Sequence, residues 1–165
     1  MPRIKLRYEQ VSQLPQTQST TIPEEYLDAM GHMNVMWYTH LFSVGMGALM
    51  NSVGLEWEVI TEHHAGTFAL ESHVRYFSEV RVGQTIALYG RVIARSEKRF
   101  HAMQFMANPD TQAVSASLAV INCYIDLNAR RMAAMPAEVQ QNLDRLIREH
   151  AQLDWPAPVC GVMNP

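Results

Sequence analysis

Asp28 is the one acidic residue in the segment Tyr26-Leu27-Asp28-Ala29-Met30-Gly31-His32-Met33-Asn34-Val35-Met36-Trp37-Tyr38, on a glycine-containing turn directly before a long apolar stretch. That layout suits chemistry at a helix start. Backbone N–H groups in the first turn of a helix have no intrahelical acceptor and carry the positive end of its dipole, so they can hold a developing oxyanion. Asp28 beside them is placed as a base or a nucleophile. The simpler role for the same carboxylate is to cap the helix by accepting its N–H groups. Asn34, immediately before the helix, either caps it or bonds the Asp28 carboxylate. His32 is a candidate proton shuttle or orienting group, with a turn residue satisfied by backbone bonds as the structural alternative. Gly31 lets backbone or substrate approach where a side chain would block it.

The elements that must position this segment follow from periodicity. From Val35 the apolar residues Trp37, Tyr38, Leu41, Phe42, Met46, Leu49, Met50 and Val53 recur at helical spacings, and Gly54 supplies a stop. A helix apolar over most of its circumference must be wrapped rather than laid on a surface. From Gly66 the period becomes that of a strand, with Phe68, Leu70, Val74 and Tyr76 on one side and Glu71, His73 and Arg75 on the other. Three more strands are expected over Thr85–Ala94, Arg99–Ala107 and Val114–Ile125, joined by the turn-like Ser96-Glu97-Lys98 and Asn108-Pro109-Asp110. Short connections imply antiparallel neighbours. A last helix is expected from near Pro136, with Val139, Leu143, Leu146 and Ile147 on its apolar face. Near the start, Arg3–Tyr8 reads as a short edge strand or docking arm, Gln13–Ser19 as a loop, and Thr20–Ile22 as the end of a strand before Pro23.

One long apolar helix followed by a run of antiparallel strands is an α+β plan, with a curled sheet packed around the helix. At 165 residues, 48% hydrophobic and 18% charged, the chain is read as a single domain over 1–165, with a core of about 16–150 and an irregular tail over 151–165. The formal charge of -3 argues against non-specific nucleic-acid binding, which needs a dense basic face. Polar and glycine residues interrupt the apolar stretch, so a membrane span is not expected. Cys123 and Cys160 have no close-spaced partner and no charged-then-apolar leader is visible, which fits a cytoplasmic location.

In order and spacing, Asp28-Ala29-Met30-Gly31-His32-Met33-Asn34 with Tyr38, then Glu71-Ser72-His73-Val74-Arg75-Tyr76, Val82-Gly83-Gln84 and Met135-Pro136-Ala137-Glu138, span nearly the whole chain. On these segments it resembles the hotdog-fold acyl-CoA thioesterases of the 4-hydroxybenzoyl-CoA thioesterase type. The resemblance implies a sheet of five or six strands wrapped around the central helix and hydrolysis of an acyl-CoA to free acid and CoA. It places the catalytic carboxylate on Asp28 and the oxyanion donor on the backbone N–H of Val35. His64 and Thr67, with His63 beside them, fall where relatives line the acyl pocket, and Trp37 and Tyr38 fall near the substrate. Arg95, Lys98 and Arg99 are the first candidates for the CoA phosphates, with Arg130-Arg131 second.

The central helix has no acidic residue between Val35 and Val53, which speaks against the branch that carries its carboxylate there. A non-catalytic acyl-CoA-binding or sensing module and a hotdog dehydratase remain as alternative functions. No metal and no cofactor beyond the CoA of the substrate are implied. A homodimer or homotetramer with sites at the subunit interface is. The aromatic set Tyr26, Trp37, Tyr38, Trp57 and Tyr76 is core and pocket wall, or a cage for a quaternary ammonium. The second option matches a finer resemblance, through Glu97-Lys98-Arg99-Phe100-His101, the Glu71–Tyr76 strand and the Pro-Gly-containing tail, to the betainyl-CoA thioesterase branch of carnitine breakdown.

Overall fold

The sheet order is β1-β3-β4-β5-β2, with a short β6 paired to β5. These strands are β1 (Gln16–Thr21), β2 (Ala65–Tyr76), β3 (Thr85–Arg95), β4 (Arg99–Asn108), β5 (Ala113–Asp126) and β6 (Arg131–Met132). The helices are α1 (Tyr8–Val11), α2 (Val35–Asn51), α3 (Trp57–Glu62) and α4 (Ala137–Ala151), with a 3-10 turn at Glu24–Tyr26. This is a computed structural model, and it describes residues 5–165.

The chain divides into two compact units, one of Met1–Met46, Val74–Gly90 and Gln104–Leu118, the other of Gly47–His73, Arg91–Met103 and Ala119–Pro165. Helix α2 and strands β2 to β5 each contribute residues to both. In the first unit the buried face of α2 carries Tyr38, Leu41 and Phe42, and Ile86, Leu88, Phe105 and Met106 are buried strand residues of the same unit. Gly45 brings α2 close to the sheet: a Cβ there would meet Gln104 Oε1 at 2.6 Å, Leu88 Cδ1 at 2.9 Å and Thr17 Oγ1 at 3.0 Å. In the second unit Leu49, Met50 and Val53 are buried, as are Phe100, Met103 and Ile121 and, on α4, Val139, Leu143 and Leu146.

Three early expectations need correction. Gln16–Thr21 is a strand, although Gln13–Ser19 reads as loop, because an edge strand paired, among the described residues, only to β3 tolerates a polar sequence rich in β-branched threonine. Arg3 and Ile4 lie outside the described residues, and the expected strand or arm gives way at Tyr8–Val11 to a short helix. Helix α2 is not covered over its whole apolar circumference: Val35, Met36 and Val44 are exposed.

Helix α4 buries Val139, Leu143, Leu146 and His150, and Asn142 donates to the Val53 carbonyl at 3.3 Å. The chain beyond α4 is fixed by Arg91, whose guanidinium donates to the carbonyls of His150 and Trp155 and lies 4.4 Å from the Trp155 ring centroid. Burial pushes the His150 imidazole below its ordinary pKa, and its Nδ1 accepts the Val92 N–H, a bond only the neutral ring can accept there. Among the described residues no helix is long and apolar enough to cross a membrane.

Candidate active site

A cavity of about 500 Å³ in the first unit is lined by Asp28, Asn34 and Val35 of the loop and helix start, by Tyr38 of α2, and by Tyr76, Phe77, Ser78 and Glu79 at the end of β2. The 27–33 loop is closed on itself. Leu27 and Met33 form an isolated bridge, the Asp28 N–H donates to the His32 carbonyl at 3.0 Å, and the Gly31 N–H donates back to the Asp28 carbonyl at 3.0 Å. Gly31 is needed for its backbone: its φ is +81°, while a Cβ there would meet nothing within 4 Å. For the protein's own backbone, the close-approach explanation therefore gives way to a conformational one. The Met33 N–H, donating to the Val80 carbonyl at 2.7 Å, ties this loop to the segment after β2.

Within that frame Asp28 Oδ1 accepts the Met30 N–H at 2.8 Å, and Oδ2 lies 3.4 Å from His32 Nδ1. The Asp28 side chain is 18% exposed, so one carboxylate oxygen is fixed while the group still reaches solvent. It does not cap α2. Asn34 does so, its Oδ1 accepting the Met36 N–H at 3.0 Å while its own N–H donates to the Tyr26 carbonyl. The Val35 N–H, at the first position of α2 and in the cavity wall, has no acceptor among the described residues. A carboxylate oriented by its loop and an N–H at the positive end of a helix thus line one space.

Tyr38 and Tyr76 meet edge to face with ring centroids 5.1 Å apart. Burial raises the Tyr38 hydroxyl above its ordinary pKa, a backbone hydrogen bond with Val80 opposes this, and the charges of Tyr76 and Glu79 add to the rise. Trp37 lies flat on Tyr26, centroids 3.7 Å apart, with His40 edge-on to Trp37. Trp57 is placed differently from the other aromatic residues. With His64 and Thr67 it lines a cavity of about 560 Å³ in the second unit, among Met50, Leu55, Ile60 and Leu127. His64 there has φ 46°, unusual for a residue with a side chain.

The basic cluster separates. Arg95 is held by Asp144, Nε to Oδ1 at 2.7 Å and Nη2 to Oδ2 at 2.6 Å, and also donates to Gln140, so its guanidinium clamps α4. Lys98 is exposed and Arg99 half-buried at the turn between β3 and β4. Ser78 and Glu79, which line the Asp28 cavity, had no signal in the sequence beyond following a strand that ends near Tyr76. Among the described residues no group of three or more His, Cys, Asp or Glu side chains is arranged to hold a metal.

The family model of the thioesterase-like superfamily matches residues 22–143. The chain is 26% identical over 154 residues to the betainyl-CoA thioesterase of Pseudomonas aeruginosa, covering 93% of this chain and 97% of that protein. It is also 26% identical over 137 residues to the L-carnitine dehydrogenase/betainyl-CoA thioesterase of Rhizobium meliloti, covering 83% of this chain but spanning only 27% of that longer protein. A Staphylococcus aureus protein solved in complex with CoA superposes with a TM-score of 0.80 at 22% identity, covering 87% of this chain and 90% of that one. The 1,4-dihydroxy-2-naphthoyl-CoA thioesterase of Synechocystis gives 0.68 at 14% identity, over 84% and 97% of the two chains. These likenesses fix the architecture as the hotdog fold, a curled antiparallel sheet packed against a central helix with a C-terminal helix. The chain belongs to the thioesterase-like superfamily and is a hydrolase of that family.

Proposed function

We propose that this protein hydrolyses an acyl-CoA thioester to the free acid and CoA, with Asp28 as the catalytic carboxylate and the Val35 N–H as oxyanion donor. The observation that carries the reading is the shared cavity of an oriented carboxylate and an N–H without an acceptor. In the hydrolytic step Asp28 takes a proton from water as the oxygen attacks the thioester carbon, and the Val35 N–H holds the carbonyl oxygen as it gains charge. Collapse breaks the C–S bond, and the proton passes from Asp28 to the departing thiolate. Direct attack by Asp28, giving a mixed anhydride that water then opens, uses the same two groups. His32, 3.4 Å from Asp28, and the Asn34 cap act as positioning residues.

Betainyl-CoA is the substrate favoured by the names of relatives at 26% identity. Release of CoA from betainyl, short-chain, medium-chain and aromatic acyl-CoA thioesters tests the reading, and no turnover on the whole panel would refute it. The phosphates are assigned to Lys98 and Arg99. Replacing both by Ala is expected to raise KM for acyl-CoA roughly three- to tenfold with kcat nearly unchanged. An unchanged KM would remove them from the site.

The working unit in this proposal is a homodimer joined through β2. Among the described residues that strand pairs only with β5, leaving its other edge open over Ala65–Tyr76, with Phe68, Leu70 and Tyr76 exposed. Antiparallel pairing of two copies about Ser72 sets Glu71 opposite His73, Leu70 opposite Val74 and Phe68 opposite Tyr76. The strand complements itself in polar and in apolar character. Sedimentation of the wild type should give a dimer, and Leu70→Glu with Val74→Glu should shift it to monomer. A wild-type monomer at micromolar concentration would defeat the pairing.

A further inference from the structure

We infer that Glu79 is a specificity-determining residue, making the Asp28 cavity select acyl groups that carry a fixed positive charge, with the rings of Tyr38, Tyr76 and Phe77 as the walls of that subsite. The inference rests on the reading of this cavity as the thioester site. It assigns to named side chains a preference that no likeness to other proteins locates. Among the described residues the cavity is lined by two carboxylates, Asp28 and Glu79, by three aromatic rings, and by no lysine or arginine. Asp28 is already oriented by the Met30 N–H and stands beside the oxyanion donor, which leaves Glu79 as the carboxylate without a part in the chemistry.

Glu79 holds Arg81 through Oε1 alone, which accepts from both Nε and Nη2. Its Oε2 has no partner among the described residues. The carboxylate is felt electrostatically at the Tyr38 hydroxyl, across the pair of rings that meet edge to face. A quaternary ammonium has no N–H to donate and is recognised by aromatic faces and by net charge. In an acyl group such as betainyl the nitrogen is two bonds from the carbonyl carbon. With that carbon between Asp28 and the Val35 N–H, the cation lies within the same small cavity. Glu79 is 48% exposed, so solvent screening keeps its effect moderate.

The test compares betainyl-CoA with 3,3-dimethylbutyryl-CoA, in which carbon replaces the charged nitrogen at the same shape. The wild type should favour the cationic ester. Glu79→Gln should lower the ratio of kcat/KM, cationic to neutral, about three- to fivefold, mainly through KM, and Glu79→Asp should restore part of it. Arg81→Met removes the competing cation from Glu79 and should raise the ratio, an opposite sign that general loosening of the loop would not produce. An unchanged ratio in Glu79→Gln, or a wild type that turns over only neutral thioesters, overturns the inference and leaves the thioesterase reading intact. Absence of turnover on every thioester overturns both.

Discussion

Asp28→Asn is expected to lower kcat for acyl-CoA hydrolysis by about 10²- to 10⁴-fold, with KM and the thermal midpoint near those of the wild type. The substitution keeps size and keeps an oxygen able to accept the Met30 N–H, the bond that fixes the loop at 2.8 Å. It removes the ability to take a proton or to attack carbon. The Val35 N–H is backbone and survives the change, so a residual rate above that in water should persist. Steady-state CoA release gives kcat and KM, and retention of more than a tenth of wild-type kcat would show that Asp28 is not the catalytic carboxylate. Single turnover in ¹⁸O water then probes the direct route: label in the carboxylate of Asp28 marks an anhydride opened at Asp28, whereas label in the product acid alone is common to an activated water and to an anhydride opened at the acyl carbon. Trapping by hydroxylamine during turnover, which leaves Asp28 as its hydroxamate only if the anhydride forms, separates those two.

Much of this arrangement was legible because it follows from local rules. The helix from Val35, its glycine stop at Gly54, the strands after Gly66 and the amphipathic last helix all follow from hydrophobic period and turn chemistry. Asp28 stood out as a lone acid next to a helix with none, and the structure sets it beside the helix-start N–H. What escaped is what depends on partners distant in sequence. The polar β1 is a strand because β3 supplies its hydrogen bonds, which no window around Gln16 contains. The partner of Arg95, Asp144, is delivered by α4 from 49 residues away, which no window around Arg95 contains. Tyr76, Phe77 and Glu79 reach the Asp28 cavity because Met33 donates to Val80, a pairing that composition alone does not announce. The apolar circumference of α2 overstated its burial, since a sheet on one side of a helix covers only one face.

Phe42→Ala is expected to destabilise the fold by about 3–5 kcal/mol, at the upper end for a single core truncation. Phe42 is 1% exposed and among the largest fully buried side chains, about two turns along α2 from Val35. The cost of such a cavity depends on how far its walls can collapse, and here the helix has little room to move inward. Gly45, one turn further on, already sets α2 so close to the sheet that even a methyl would press on Gln104, Leu88 and Thr17. The void should therefore stay open rather than be filled by a shift of α2. For a chain of 165 residues this corresponds to a fall in thermal midpoint of roughly 6–20 °C. Urea unfolding followed by circular dichroism measures the loss, and a value below about 1.5 kcal/mol would mean that the helix does relax toward the sheet. Such relaxation would also move the Val35 N–H relative to Asp28, so in that case kcat should fall in the folded variant. With a rigid α2, folded Phe42→Ala should keep its kcat while losing stability, since the buried face of the helix and its catalytic end are then independent.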